Sequence, residues 1–345
     1  MKTLFKSLTY ALLYGSFVGF GVLAASQDAM AWKPSKPIQF VIQTSPGGGS
    51  DIYTRMWTGV IEKHKLSPVP LTPINMPGGS GAVALTYLHS QKGSPYAITP
   101  TLNSIVTTPL QQKIPVMYTS RDLTPLALMT IDPFLLWVNP SKFKDWEQFH
   151  TACKKDRLTA AGTGARQEDE IQIGLFQKAT DCKRFRYIPE SGGGKVAADV
   201  AGGHVDFSVN QPAEGLPHYP DKMTPIVSFS DERLKAWPDV PTHFELKIGT
   251  DGKYAKLLSL GTGLHQHRGI IGAPDMPKEA VAWYQNLFQK VFESKEWQDF
   301  MKKRGMVPTF KGPKEYRKWL VTFEEDHVDA IKAAGWALRD DLTKR

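Results

Sequence analysis

Residues 46–51, Pro46-Gly47-Gly48-Gly49-Ser50-Asp51, decide how the rest of the chain is read. Ahead of them runs Pro37-Ile38-Gln39-Phe40-Val41-Ile42-Gln43-Thr44, short, apolar and β-branched, which predicts a buried strand. Behind them Ile52, Met56 and Val60 recur at helical spacing, with Tyr53, Trp57 and Ile61 widening the stripe. Ser50 or Asp51 is placed to cap that helix by accepting its free backbone N–H groups. A strand, a glycine turn and a helix start aim N–H groups and a positive dipole end at one spot, the makings of an anion site. Glycine admits positive φ there and removes any side chain that would hold a ligand away.

The arrangement recurs. Met76-Pro77-Gly78-Gly79-Ser80-Gly81 precedes a helix-like stretch at 82–90, and Ala161-Gly162-Thr163-Gly164-Ala165-Arg166 follows a strand-like Leu158-Thr159-Ala160. Glu190-Ser191-Gly192-Gly193-Gly194-Lys195 stands between a strand-like 185–188 and a helix-like 196–200. One such turn is an ordinary feature. Several in one chain point to an α/β protein whose loops gather at the carboxyl ends of its strands.

The opening residues carry Lys2 and Lys6, an apolar run over 8–25, then Ala29-Met30-Ala31. That is the pattern of a secretory signal cleaved after Ala31, so residues 1–31 are expected to be a signal peptide and the product to be soluble and exported; an uncleaved membrane anchor is the alternative. No cysteine follows the run, which excludes a lipid-anchored form. The formal charge of +8 is spread among acids with no long basic run and no aromatic RNA-binding motif, so nucleic acid is excluded as a partner and acidic solutes fit better. Cys153 and Cys182 are the only cysteines, each a few residues ahead of a strand-like segment. Two adjacent parallel strands joined by the helix around 171–179 bring them together as a disulfide; buried thiols are the alternative.

Along the chain, strand and helix alternate to about residue 131. Residues 122–129 read as an apolar crossing toward a second lobe, and Phe134-Leu135-Leu136-Trp137-Val138 opens that lobe as a strong strand. The alternation repeats from 158 to 229, with 202–209 as a strand entered through a glycine corner. A polar segment over 230–254 returns, Arg268-Gly269-Ile270-Ile271-Gly272 forms a last strand, and amphipathic helices follow it. The expected plan is a hinged two-lobe α/β receptor: residues 32–131 with 255–345 as lobe 1, and 132–254, including the crossing segment, as lobe 2.

Pro46-Gly47-Gly48 with Asp51 and Arg55, Asn75 with Pro77-Gly78-Gly79-Ser80-Gly81, Gly162-Thr163-Gly164-Ala165, Gly202-Gly203-His204-Val205-Asp206, Pro238-Asp239-Val240-Pro241-Thr242 and Gly272-Ala273-Pro274 occur in an order and spacing that resemble one family. The chain is similar to the extracytoplasmic receptors of tripartite tricarboxylate transporters, the TctC-like or Bug-type proteins. The resemblance implies a two-lobed periplasmic binding protein of type II that closes on a small organic carboxylate, a di- or tricarboxylate or an aromatic acid. It also implies delivery to membrane subunits, no cofactor and a monomer. Carried over residue by residue, Ser45, Pro46, Gly47, Gly48, Gly49, Ser50 and Asp51 serve from lobe 1, and Gly162, Thr163, Gly164, Ala165 and Arg166 from lobe 2. Asn103, Ser191 and Asn210, at strand ends, join them. Ala165-Arg166 departs from the family's usual Gly-Ser. Arg166 either grips a second carboxylate or pairs with Glu168, Asp169 or Glu170.

An exported hydrolase is the rival reading, and the residues do not assemble one. Gly78-Gly79-Ser80-Gly81 is followed by Ala82, so it is not a nucleophile elbow. Ser191-Gly192-Gly193-Gly194-Lys195 lacks the upstream glycine and the Ser/Thr of a phosphate loop. His265 and His267 flank Gln266 with no third ligand in sight, so they read as solvated loop residues and no metal is expected. A signalling receptor for the same acid is the remaining alternative, since both outputs use the same closure.

Overall fold

Two mixed sheets with one strand plan organise the chain. The structure is a computed structural model describing residues 32–46, 49–190, 192–249, 258 and 264–342; the expected signal peptide lies outside them. In chain order come β1 (Ile38–Ile42), α1 (Gly49–Lys63), β2 (Leu71–Asn75), α2 (Ala82–Ser90), β3 (Ala97–Pro100), α3 (Ser104–Gln111), α4 (Thr119–Asp122) and β4 (Thr124–Asp132). Then follow β5 (Leu135–Val138), α5 (Trp146–Lys155), β6 (Thr159–Thr163), α6 (Glu168–Lys178), β7 (Arg186–Glu190), α7 (Gly193–Ala201), β8 (Phe207–Asn210), α8 (Pro212–Gly215) and β9 (Thr224–Ser228). The described chain closes with β10 (Gln266–Gly272), α9 (Lys278–Glu293), α10 (Lys295–Lys303), β11 (Val307–Lys311) and α11 (Pro313–Ala333).

The first sheet runs β11-β4-β10-β3-β1-β2 and the second β7-β6-β8-β5-β9. Set β11 aside and the two orders are the same. Three parallel strands are followed by one antiparallel strand, β10 or β5, and then by a strand that again runs with the first three. This is the two-lobed α/β architecture expected. The antiparallel strand of each lobe is the one that has just crossed from the other.

Several expectations need correction. Residues 122–129 do not cross: Thr124–Asp132 is a wholly buried strand bonded to β10 on one side and β11 on the other, and only Pro133 and Phe134 separate it from β5. A run buried on both faces reads the same whether it spans a sheet or leaves it. The glycine corner at 202–206 stays outside β8 because Gly203 takes a positive φ of 72°. Strand β11 interrupts what reads as helices only, and the 316–323 segment is part of a 21-residue helix. On α1 the buried face is Tyr53, Trp57, Val60 and Ile61, while Ile52 is 42% exposed. Tyr53 and Trp57 turn the helix that way because both meet Trp297 edge-on, and Trp57 also packs on Phe40 and Phe288.

The expected disulfide is present between Cys153 and Cys182, with 29 residues of sequence separation. It ties the end of α5 to the segment entering β7, where the Lys183 N–H also donates to the Cys153 carbonyl at 2.9 Å. Helix α11 packs against β4 and α4 in the first lobe and against α6 in the second. Its Glu324 accepts from the Ser120 N–H at 2.9 Å. No helix among the described residues is long and apolar enough to cross a membrane.

Gly269 sets the closeness of β10 to its neighbours. A Cβ there would fall 2.6 Å from the Ala127 carbonyl oxygen and 2.8 Å from the Tyr316 hydroxyl. Gly269→Ala is therefore expected to cost about 1–3 kcal/mol, the range for overpacking a well-filled core, seen as a lower urea midpoint. An unmoved midpoint would mean that β10 can shift away from β4.

Candidate functional site

The chain that follows β3 in one lobe meets the chain that follows β6 in the other, Thr107 and Gln111 of α3 bonding to residues 166–168. Because β10 runs against β3, with Ile270 paired to Pro100, its first residues arrive at the carboxyl end of β3. Gly269 donates to Thr101 Oγ1 at 2.7 Å and accepts from the Thr101 N–H at 2.8 Å, which places Arg268 beside the loop that follows β3. Arg268 is 5% exposed. Its Nη2 and Nε donate to Asp132 Oδ2 at 3.0 and 3.3 Å, the Tyr53 hydroxyl donates to the same oxygen at 3.0 Å, and the guanidinium lies 4.4 Å from the centre of the Tyr53 ring.

The guanidinium also covers the start of α1. A Cβ on Gly49 would stand 3.6 Å from Arg268 Nη2 and 3.8 Å from Nη1. The positive end of a 15-residue helix and a buried cation are thus side by side, an arrangement that an anion between them stabilises. Just after β1 and at the start of α1 are polar atoms sealed from solvent without partners: Thr44 Oγ1, Ser50 Oγ, and Gln43 Nε2, whose own Oε1 accepts from Thr99 at 3.1 Å. The second lobe adds Ser208 Oγ, Asn210 Nδ2 and Gln211 Nε2 in the same condition. Each such orphan costs roughly 1–3 kcal/mol when nothing meets it, so a bound polar solute would relieve several at once.

The residues expected from sequence divide by environment. Ser45 and Pro46 are exposed at the rim, and Gly47, Gly48 and Ser191 lie outside the described residues. Gly49 opens α1, so its cap falls before Ser50 and Asp51 rather than on either. Asp51 braces the lobe, accepting from Arg55 Nε at 3.0 Å and from Asn75 Nδ2 at 3.0 Å; Asn75 also donates to the Thr44 carbonyl at 2.9 Å. The family's scattered Asp, Arg and Asn are here one clamp between α1 and β2. Asn103 is buried and spent on β10, donating to the His265 carbonyl at 3.0 Å and accepting from His267 Nδ1 at 2.9 Å. His265 and His267 are accordingly buried, not solvated, and burial holds His267 neutral.

In the second lobe Gly162 is pressed between Asp169 and Tyr187, each 2.6 Å from where its Cβ would be. The Thr163 N–H donates to Asp169 at 2.7 Å, and the Gly164 carbonyl accepts from Tyr187 at 2.8 Å. Ala165 and Arg166 are exposed. Arg166 meets Glu170 through its backbone N–H at 2.6 Å, and its carbonyl accepts from Gln111 of α3 at 3.1 Å. Thr107 of α3 reaches Gln167 at 3.1 Å and Glu168 at 3.2 Å, and Gln172 donates to the Leu264 carbonyl at 2.5 Å. The lobes therefore touch across the cleft.

The glycine turn that opens α7 is already occupied by the protein itself. A Cβ on Gly193 would fall 1.9 Å from Glu214 Cδ, so that carboxyl rests on the start of α7. Burial and then nearby Asp169 push the Glu214 carboxyl up to about 8; burial raises Glu168, Asp169 and Glu324 to about 7. The histidines buried neutral are half-charged in the unfolded chain at pH 6.5 and uncharged by about pH 7.5, a small opposing change, whereas across the whole range the unfolded chain has released these carboxyl protons while the fold still holds a share of them. Stability should therefore fall between pH 6.5 and 8.5, and melting of the unliganded protein at the two pH values measures it. A flat or rising profile would contradict the burial of these acids.

Arg268, Asp132, Tyr53 and Glu214 were missed in the sequence reading. The available signal was a charge inside an apolar strand, since a buried arginine requires an acid beside it. Among the described residues the one group spaced to hold a metal is His150, Cys153 and Cys182, and its two sulfurs are joined to each other.

Comparison with known proteins bears on this geometry. The profile described as "Tripartite tricarboxylate transporter family receptor" matches residues 64–331, more than half of the chain. This chain belongs to that family. It is a solute receptor and not an enzyme. Among its relatives, the protein BugT of Bordetella pertussis is 26% identical over 245 residues, 67% of this chain and 72% of BugT. Two solved structures share the fold. An R. palustris protein solved with adipate has a TM-score of 0.76 at 18% identity, covering 88% of this chain and 99% of that one. MatC from Rhodopseudomonas palustris, solved with malate, has a TM-score of 0.68 at 20% identity, with 88% and 99% covered.

Proposed function

We propose that this tripartite tricarboxylate-type receptor works in the periplasm, closes on a small organic carboxylate and delivers it to its membrane subunits. The carboxylate sits where the amino end of α1, the Arg268 guanidinium, Ser50 Oγ and Gln43 Nε2 converge. Lobe 2 completes the shell with the loop at Gly162, Thr163 and Gly164 and with Asn210 and Gln211. The observation that carries this reading is the buried cation set against a helix amino end, with unpartnered donors just after β1 and at the start of α1. The adipate and malate of the two solved structures support the ligand class. Donors already oriented by β1, α1 and β10 cost little to organise on binding. Closure of lobe 2 then excludes water and selects the shape the membrane subunits recognise.

A thermal-shift panel of mono-, di- and tricarboxylates, with sugars and neutral amides as controls, tests it. Acids at a hundred times their Kd should stabilise the fold by about 2.7 kcal/mol, and the acid recovered afterwards should be unchanged. A response to sugars with none to acids would overturn the reading.

A further inference from the structure

We propose that Glu214 reads a protonated nitrogen, so that the acid this receptor prefers carries an ammonium group as well as a carboxylate. The inference rests on the carboxylate reading above and adds a second pole to it. Glu214 stands on α8, three residues after Gln211 with its unpartnered Nε2, and its carboxyl lies against Gly193 within electrostatic reach of Arg268, Asp132 and Asp169. As a residue it is half-buried, yet its Oε2 is sealed from solvent and has no hydrogen-bond partner.

The other acids of the cleft are differently placed. Glu168 is held by Thr107, and Asp169 by the Thr163 N–H. Asp132 is wholly buried, and its Oδ2 takes the donors of both Tyr53 and Arg268 while its Oδ1 has none. Lys195, beside the glycine turn that Glu214 covers, is engaged by Asp199 at 2.5 and 2.7 Å.

The unpartnered atoms are therefore of two kinds. Gln43 Nε2, Asn210 Nδ2 and Gln211 Nε2 are donors, and all three side chains are more than nine-tenths buried. Glu214 Oε2 and Asp132 Oδ1 are acceptors. A ligand whose polar atoms are all carboxylate oxygens brings negative charge beside Glu214 and keeps that carboxyl protonated, whereas an ammonium lets it give up its proton to solvent and pair as a carboxylate. Lobe 2 offers that charge little relief, because the amino end of α7 is already covered by the protein's own carboxyl. An amino acid meets both kinds at once, and the mismatch rejects its desamino analogue.

Calorimetry on the full exported chain with matched pairs decides the matter: aspartate against succinate, glutamate against glutarate, 2-aminoadipate against adipate, and the N-acetyl form of each amino acid. The amino member of the best-fitting pair should bind about tenfold tighter or more than both its desamino and its N-acetyl counterparts. In Glu214→Gln the preference should vanish, because a neutral amide cannot become the carboxylate that pairs with the ammonium. If the wild type takes the desamino acids and refuses their amino partners, or if Glu214→Gln keeps the amino preference, Glu214 has no such role while the carboxylate reading stands. If the folded protein binds no acid of either form, both readings fall. The wild-type series needs no variant, so the inference stays exposed even if Glu214→Gln does not fold.

Discussion

Arg268→Met is expected to weaken carboxylate binding roughly a hundredfold, the 2–3 kcal/mol of a lost charge-assisted contact, measured by calorimetry with whichever acid binds the wild type. The same change strips Asp132 of its counter-charge inside the protein. Removing one partner of a buried pair costs about 3–5 kcal/mol, so the unliganded melting temperature should fall as well. Asp132 and Arg268 are 0% and 5% exposed, and so little water is at hand to take over from either partner. The two effects separate in a double variant. Asp132→Leu with Arg268→Met removes both charges and should recover much of the stability while leaving binding lost. Wild-type affinity in the folded double variant would show that Arg268 is a strut and that the ligand sits elsewhere.

Cys153→Ala with Cys182→Ala is expected to cost roughly 3–4 kcal/mol on the chain-entropy estimate for a closed loop of this length. The linked residues lie 29 apart, and the loop between them holds β6, α6 and the approach to β7. The loss should therefore fall on the second lobe, as an earlier transition in urea followed by tryptophan fluorescence. Binding at temperatures where the variant is folded should change little, because the bridge lies beside the start of β6 and the glycine turn at its other end. Equal stability with and without the bridge would mean that the paired β6 and β7 already confine the unfolded chain as tightly.

Most of the alternation was legible in the chain because the periodicity is local. A run such as residues 38–42 needs no distant partner to be read as a strand, and Cys153 and Cys182 each announce the strand that follows. Residues 122–129 read as a crossing because an apolar run says nothing about which strands flank it. The site was half legible for the same reason. The glycine turns declare themselves in sequence, whereas Arg268 reaches the cleft only because β10 runs against its neighbours. Asp51 and Asn103 drew notice as polar residues in suggestive places, but their partners, Asn75 and Arg55 for one and His265 and His267 for the other, take up the hydrogen bonds a ligand would need. Glu214 illustrates the converse, a single acid in an unremarkable Pro-Ala-Glu-Gly stretch that folding sets upon a glycine turn 21 positions earlier.

The order of strands has a bearing on how the molecule is made. Every strand of the second sheet lies between Leu135 and Ser228, so that half is complete in one uninterrupted length of chain. The first sheet is not: β3 and β4 are separated by β10, which is synthesised more than 130 residues after β4. Until β10 arrives, two buried apolar strands have no neighbour between them, an open edge of the kind that invites association with other chains. A nascent chain stopped before Gln266 should hold a finished second lobe beside an unfinished first one. Chaperones that guard secreted proteins during maturation would then be needed for the half that is begun first.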